Sequence, residues 1–273
     1  MACKTGTGNS SQQHYSKENM LRIQKIYRNL FNNLERDTQG DLRKKELTAL
    51  YYYKGRNYNG ELLVVGRAVN GWTKESYRIN QLKQQGVIRK IFEEIIPPKD
   101  DCLSDWVQEC WENRDRKGYN TKRSAFWRTI KGIVNKSNIS NEEDWASSIV
   151  WSNLYKISPF EGGNPSNSLC ERTRKDCINI LKAEIEVLNP RRIVFLTGSD
   201  WFGDFEEELE FKDDRAKRHP IEKSGKIFNG AQIVVLPHPQ GKKEKPLIDS
   251  VAKHFQKKAV RQGDGIYAYH GLC

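Results

Sequence analysis

The stretch Glu61-Leu62-Leu63-Val64-Val65-Gly66-Arg67-Ala68-Val69-Asn70-Gly71-Trp72 decides the fold. Its first half is continuously apolar from Leu62 to Val65, the pattern of a strand buried on both faces of a parallel sheet. Its second half turns to glycine and polar side chains. Two later segments end in the same way: Val150-Trp151-Ser152-Asn153-Leu154-Tyr155-Lys156 and Val235-Leu236-Pro237-His238-Pro239-Gln240-Gly241. In an open parallel α/β sheet, sites assemble at the carboxyl ends of the strands. Three such exits bring Asn70, Asn153 and His238 toward one crevice.

Working outward, strands are expected at 61–66, 148–154, 193–196 and 233–236. Helical periodicity separates them. Helices are expected over Ser16 to Glu35, with Ser16 as N-cap, and over Leu82 to Ile96, stopping at Pro97-Pro98. Others are expected over Cys102 to Trp111, Phe126 to Asn135, Ser168 to Leu188 (ended by Pro190) and Pro246 to Lys257. Arg36 to Gly60 is polar and reads mostly as loop, with one short helix near Lys44 to Tyr52. Strands alternating with helices predict an α/β fold: a three-layer α/β/α sandwich around a central, mostly parallel, four-stranded sheet. A single domain is expected over 16–273, with its core at 61–258, after a disordered polar tail at 1–15.

The chain has 273 residues, enough for one large domain with a substantial core. No apolar run approaches the ~18 residues of a membrane span. Met1 to Gln13 lacks the apolar segment of a secretory signal. The six cysteines include no C-x-x-C pair and no histidine at finger spacing. These features predict free thiols, a reducing compartment and a cytoplasmic location, with neither metal nor other cofactor. The net charge is +11, and Lys212 to Arg261 holds 13 Lys/Arg against 5 Asp/Glu. That surplus suits a phosphate backbone, although a merely solvated surface explains a charge run equally well.

The central block resembles the uracil-DNA glycosylase superfamily. The matching pattern is Asn153, Lys156, Pro159, Asn164-Pro165, Cys177, Leu188 with Pro190, Ile193-Val194 and Gly198. Gly66 to Trp72 and His238-Pro239 lie where that family has its first and last motifs. The resemblance implies an α/β sandwich that cleaves the N-glycosidic bond of a base flipped out of DNA. It also implies DNA as partner and action as a monomer. The iron–sulfur class within the family needs four cysteines. Only Cys177 matches, Ile157 follows Lys156, and no N-terminal Cys pair exists, so no cluster is expected.

Each candidate has a chemical reason. Cleavage of the glycosidic bond develops negative charge on the departing base. His238 after an apolar strand can donate a hydrogen bond to it. The Asn153 amide offers a donor and an acceptor to a base edge. Many members of the family carry a polar residue where Ala68 stands, and Asn70, two residues later, takes over the water-positioning role on this reading. Arg67 is a candidate to hold a phosphate or a base substituent. Trp72 and Tyr77 follow the first motif, where the resemblance implies an aromatic that stacks on the base. Gln240, Gly241, Lys242, Lys243 and Lys245 extend the His-Pro loop, which in the family enters the minor groove. Lys156 and Ser166 are further DNA-contact candidates, and Ser166 or Ser168 can equally cap the following helix. The blander assignments are a turn residue for Asn70, core packing for Trp72 and an exposed salt bridge for Arg67.

The small Ala68 and Gly71, with Trp106, Trp111, Trp127 and Trp145 between the first two strands, hint at a pocket roomier than uracil needs. A hypermodified pyrimidine of phage DNA, removed in antiviral defence, is therefore a substrate candidate beside uracil. Two other classes compete. One is a catalytically decayed DNA-binding module on the same fold, favoured by Ala68. The other is a nucleotide-handling enzyme, disfavoured because no G-x-G-x-x-G or P-loop pattern follows the first strand.

Overall fold

A computed structural model describes residues 17–37, 40–49, 51–68, 76–93, 105–112, 120–140, 143–214 and 219–263. Asn70, Trp72, the 1–15 tail and the Ser16 cap lie outside these residues.

In chain order the helices are α1 (Lys17–Asp37), α2 (Ile79–Leu82), α3 (Gln85–Glu93), α4 (Asp105–Glu112), α5 (Ala125–Lys136), α6 (Asn167–Leu188), α7 (Ser199–Glu206) and α8 (Glu244–Gly263). The strands are β1 (Leu47–Ala49), β2 (Tyr53–Lys54), β3 (Leu62–Ala68), β4 (Ile149–Tyr155), β5 (Ile157–Pro159), β6 (Arg192–Phe195), β7 (Lys212–Asp213), β8 (Lys223–Lys226) and β9 (Gln232–Val235).

The four strands expected from sequence are β3, β4, β6 and β9. They pair in parallel in the order β4-β3-β6-β9. Among the described residues the sheet nevertheless has seven strands, not four: β2 adds antiparallel to β4, and β8 and β7 extend the other edge. A separate two-stranded sheet pairs β1 with β5. The helix expected near Lys44 to Tyr52 is instead a 3-10 turn at Gly40–Lys44 followed by β1 and β2. The expected Leu82 to Ile96 helix is divided into α2 and α3.

Alternation along the parallel strands feeds two cores. Leu63, Val65, Ile193 and Phe195 pack with α1 and α6 residues such as Tyr27, Phe31 and Leu181. Leu62, Val64, Val194 and Leu196 pack with Trp127, Ile130, Leu247 and Val251 from α5 and α8. Each such aliphatic side chain contributes roughly 1.5–3 kcal/mol by leaving water. α6 begins at Ser166, whose hydroxyl accepts from the Leu169 N–H at 3.4 Å. It ends at Asn189 in the left-handed conformation, just before Pro190.

Among the described residues, no helix is long and apolar enough to cross a membrane. Nor does any group of three or more His, Cys, Asp or Glu side chains form a metal-holding cluster among them.

Candidate DNA-base cleft

The carboxyl ends of β3 and β4 and the loop after β9 open into one cleft of about 820 Å³. β3 contributes Gly66, Arg67 and Ala68, and β4 contributes Trp151 and Asn153. The β9 loop contributes His238, Gln240 and Gly241. The remaining wall is the entry into α5, with Arg123, Phe126 and Trp127, faced by Asn164 from the loop before α6.

Asn153 lies opposite Gly66 in the β3–β4 register. The residue is only 4% exposed, and among the described residues its Nδ2 has no hydrogen-bond partner. A buried amide N–H left unpaired costs ~1–3 kcal/mol, so an unpaired donor at a cleft wall marks a place for a ligand acceptor. The amide has this position because residue 66 is glycine. A β-carbon there would lie 2.5 Å from Asn153 Oδ1 and 3.5 Å from the Phe126 ring.

The Gln240 backbone N–H donates to His238 Nδ1 at 3.3 Å. With Nδ1 an acceptor, the neutral ring carries its proton on Nε2. Burial lowers the His238 pKa, and the positive charge of Arg67 lowers it further. Phe126 stacks on the imidazole, with ring centroids 6.2 Å apart and planes 22° apart. Phe126 thus reaches both Gly66 and His238, and links the amide side of the cleft to the imidazole side.

Arg67 is held by its own contacts. Its Nε donates to the Thr197 carbonyl at 2.7 Å, and its guanidinium lies over the Trp201 ring, 5.3 Å from the centroid. Its Nη2 passes close to Gly198, which has φ +84°. Burial pulls the guanidinium pKa down, while Asp200 and Glu222 pull it up. The described charged residues that line the cleft are Arg67 and Arg123, and no described carboxylate lines it.

A clamp beside the cleft joins α5 to α8. Arg128 Nε donates to both Glu244 carboxylate oxygens at 3.0 Å, and its Nη1 donates to the Lys122 carbonyl at 2.9 Å. Arg128 is on α5 and Glu244 begins α8, so the clamp ties the Phe126 wall to the segment that follows the histidine loop. Lys242 and Lys243 in that segment are exposed, and Lys245 pairs with Asp249 at 2.9 Å.

Some sequence expectations move. Lys156 is not a surface DNA contact. It is 1% exposed and ion-paired to the fully buried Glu184 at 2.7 Å. Desolvation raises the Glu184 pKa, although its bonds to Lys156 and Ser152 oppose the shift. Beside this pair, burial pushes the Cys177 thiol up to about 12. Tyr77 is not a stacking residue either. It is 9% exposed, belongs to the α1–α6 core and exchanges backbone bonds with Leu47. Ser166 caps α6 and does not line the cleft.

Of the four tryptophans expected to enlarge the pocket, Trp127 lines it, while Trp111 and Trp145 meet edge to face at 5.9 Å in the core below. The Trp106 side chain lies outside the described residues. Phe126, Arg123 and Trp151 were missed from sequence. The available signal for Phe126 was its place in the first turn of a helix, where one face points to the mouth of the sheet.

No curated protein matches the chain. A family model described as Uracil DNA glycosylase superfamily matches residues 109–257, more than half of the chain. The match covers Asn153 and His238 but begins after β3, so Gly66, Arg67 and Ala68 join the site by geometry. With a buried amide and an imidazole donor on one cleft inside that span, the chain belongs to the uracil DNA glycosylase superfamily.

Proposed function

We propose that the protein is a monofunctional DNA glycosylase that takes a flipped base into this cleft and hydrolyses its N-glycosidic bond, leaving an abasic site. The observation that carries the reading is the unpaired Nδ2 of Asn153, in the same cleft as a histidine whose Nδ1 is already engaged. Asn153 reads the base edge. His238 donates from Nε2 to an oxygen of the departing base as negative charge develops there. Arg67 and Arg123 favour the same anion through space. Phe126 supplies a π-face for the base.

The cleft without a described carboxylate fits a cation-like sugar that needs water held in place more than deprotonated. We assign the holding of that water to Asn70. The Lys156 amine is occupied by three hydrogen bonds, which supports attack by water over a Schiff base. DNA approaches along Gln240, Gly241, Lys242 and Lys243. The same proposal has the protein acting as a monomer in the cytoplasm.

A cavity of about 820 Å³ lies in the upper part of the ~300–1,000 Å³ range of drug-sized ligand sites. It holds more than a bare pyrimidine. Uracil remains one substrate, and we extend the proposal to a pyrimidine enlarged by a polar substituent, as in modified phage DNA, which would make the protein an antiviral factor.

Incubation with uracil-containing duplex and with glucosylated hydroxymethylcytosine DNA, scored for abasic sites, tests this. Release from the modified DNA supports the larger substrate, and release from uracil DNA alone restricts the protein to uracil. Inactivity on both leaves the second reading, a decayed DNA-binding module, which Ala68 favours because its side chain brings no polar atom to the cleft.

A further inference from the structure

Lys156 stands at the joint where the chain leaves the seven-stranded sheet after β4 and enters β5 of the two-stranded one. Its Nζ donates to Ser152 Oγ, to the Asn153 carbonyl and to Glu184 Oε2, each at 2.7 Å. Ser152 Oγ also donates to Glu184 Oε2 at 2.7 Å. The Lys156 backbone N–H reaches Cys177 Sγ at 3.4 Å. Glu184 and Cys177 both come from α6, so one helix grips the joint by a charge and a thiol.

Stability does not explain this arrangement. A buried ion pair gives up hydration that its Coulomb attraction only partly returns, and an apolar pair of the same volume often serves a fold as well or better. Here the balance is poorer still, because Glu184 Oε1 is buried without a partner among the described residues. Toward the cleft, the network's hydrogen bond goes to the Asn153 carbonyl. On the same residue the side chain is trapped between Gly66 and the cleft, with Nδ2 unpaired. Holding the carbonyl fixes the peptide plane from which that amide projects.

We propose that Lys156, Glu184 and Ser152 form a positioning device that aims the Asn153 amide at the base, so that a buried charge behind the strand sets base discrimination. This rests on Asn153 reading the base. None of the three residues touches the substrate, so each is a positioning residue.

The test is the apolar replacement of the whole network in the full-length chain: Lys156→Met, Glu184→Leu and Ser152→Ala together. Four quantities are measured: the unfolding midpoint, affinity for unmodified DNA, the single-turnover rate of base release, and the ratio of rates on the preferred base and on cytosine. We expect an unfolding midpoint at or above that of the parent protein and unchanged DNA affinity. We expect the chemical step to slow on the order of ten- to a hundredfold, the scale of a sub-ångström to ångström misplacement, and the ratio to collapse. Adding Asn153→Ala to the triple variant should then cost little more, because the two lesions act through one group.

A folded triple variant with the parent rate and ratio overturns the proposal. Should the triple variant not fold, Lys156→Met with Glu184→Gln removes the charges but keeps a hydrogen-bonding partner for Ser152, and the same outcomes apply. A crystal structure of the folded variant reads the aim of Asn153 without reference to activity. A displaced amide supports the device and an unmoved one refutes it. If instead the parent protein releases no base from any DNA, it is the glycosylase reading that fails.

Discussion

Gly66 and Asn153 face each other across β3 and β4 so closely that a β-carbon on residue 66 would lie 2.5 Å from Asn153 Oδ1. The glycine is therefore the space in which the amide sits. Gly66→Ala should push Asn153 out of its aim and overpack the strand ends, at a stability cost of about 1–3 kcal/mol. Base release should fall more than tenfold while the protein stays folded, roughly the effect of a misplaced group. Circular dichroism together with a single-turnover assay checks both; an alanine variant with parent activity would refute the packing argument.

The aromatic wall makes a second prediction. Phe126→Ala removes a ring that stacks on His238 and reaches Gly66. With base stacking worth ~1–3 kcal/mol, kcat/KM should drop roughly five- to 150-fold. Tyr77→Ala should behave oppositely. It empties a core position, so stability should fall on the order of 3 kcal/mol, with the chemistry of the folded fraction intact. Paired thermal melts and kinetics separate the two.

A third prediction concerns pH. In the proposed mechanism His238 acts in its neutral form, and burial with the Arg67 charge lowers its pKa from the ordinary 6.5. A lowered pKa means the imidazole protonates only below that value. Activity should therefore be kept at neutral and alkaline pH and fall on the acid side with an apparent pKa below 6.5. Protonation puts a second N–H at Nδ1, facing the Gln240 N–H that now donates to it. Arg67→Gln removes the nearby positive charge, so the acid limb should move to higher pH. A pH–rate profile that does not move would contradict the coupling.

The exposed lysines after the histidine supply the fourth. Lys242→Ala with Lys243→Ala should weaken binding to any duplex and reduce the dependence of log K on log salt by up to about 0.9 per lysine that contacts a phosphate. Titrations at several salt concentrations measure this slope directly. A slope equal to that of the parent protein would move the DNA path elsewhere on the molecule.

Much of the candidate cleft was legible because strand ends concentrate polar residues after apolar runs. Asn153 and His238 both stand at such exits, and the four parallel strands carried uninterrupted apolar segments. The rest depends on tertiary partners. Lys156 reads as a solvent cation until Glu184, 28 residues later, is folded against it. Phe126 shares its helix with Ile130, Ile133 and Val134, so its spacing looked like a core face, although its first-turn position opens it to the cleft. Tyr77 follows the first motif in sequence, but its backbone pairs with Leu47 and draws it into the core. β2 and β7 have two residues each, too few for any period to register.

The most direct test of the account is base release by His238→Ala, measured in single turnovers beside DNA affinity, on whichever DNA the parent protein cleaves. The account predicts a loss of about a hundred- to a thousandfold, the scale of one missing donor to a developing anion, with binding largely kept. Release at the parent rate, or lost binding with an unchanged chemical step, would contradict it.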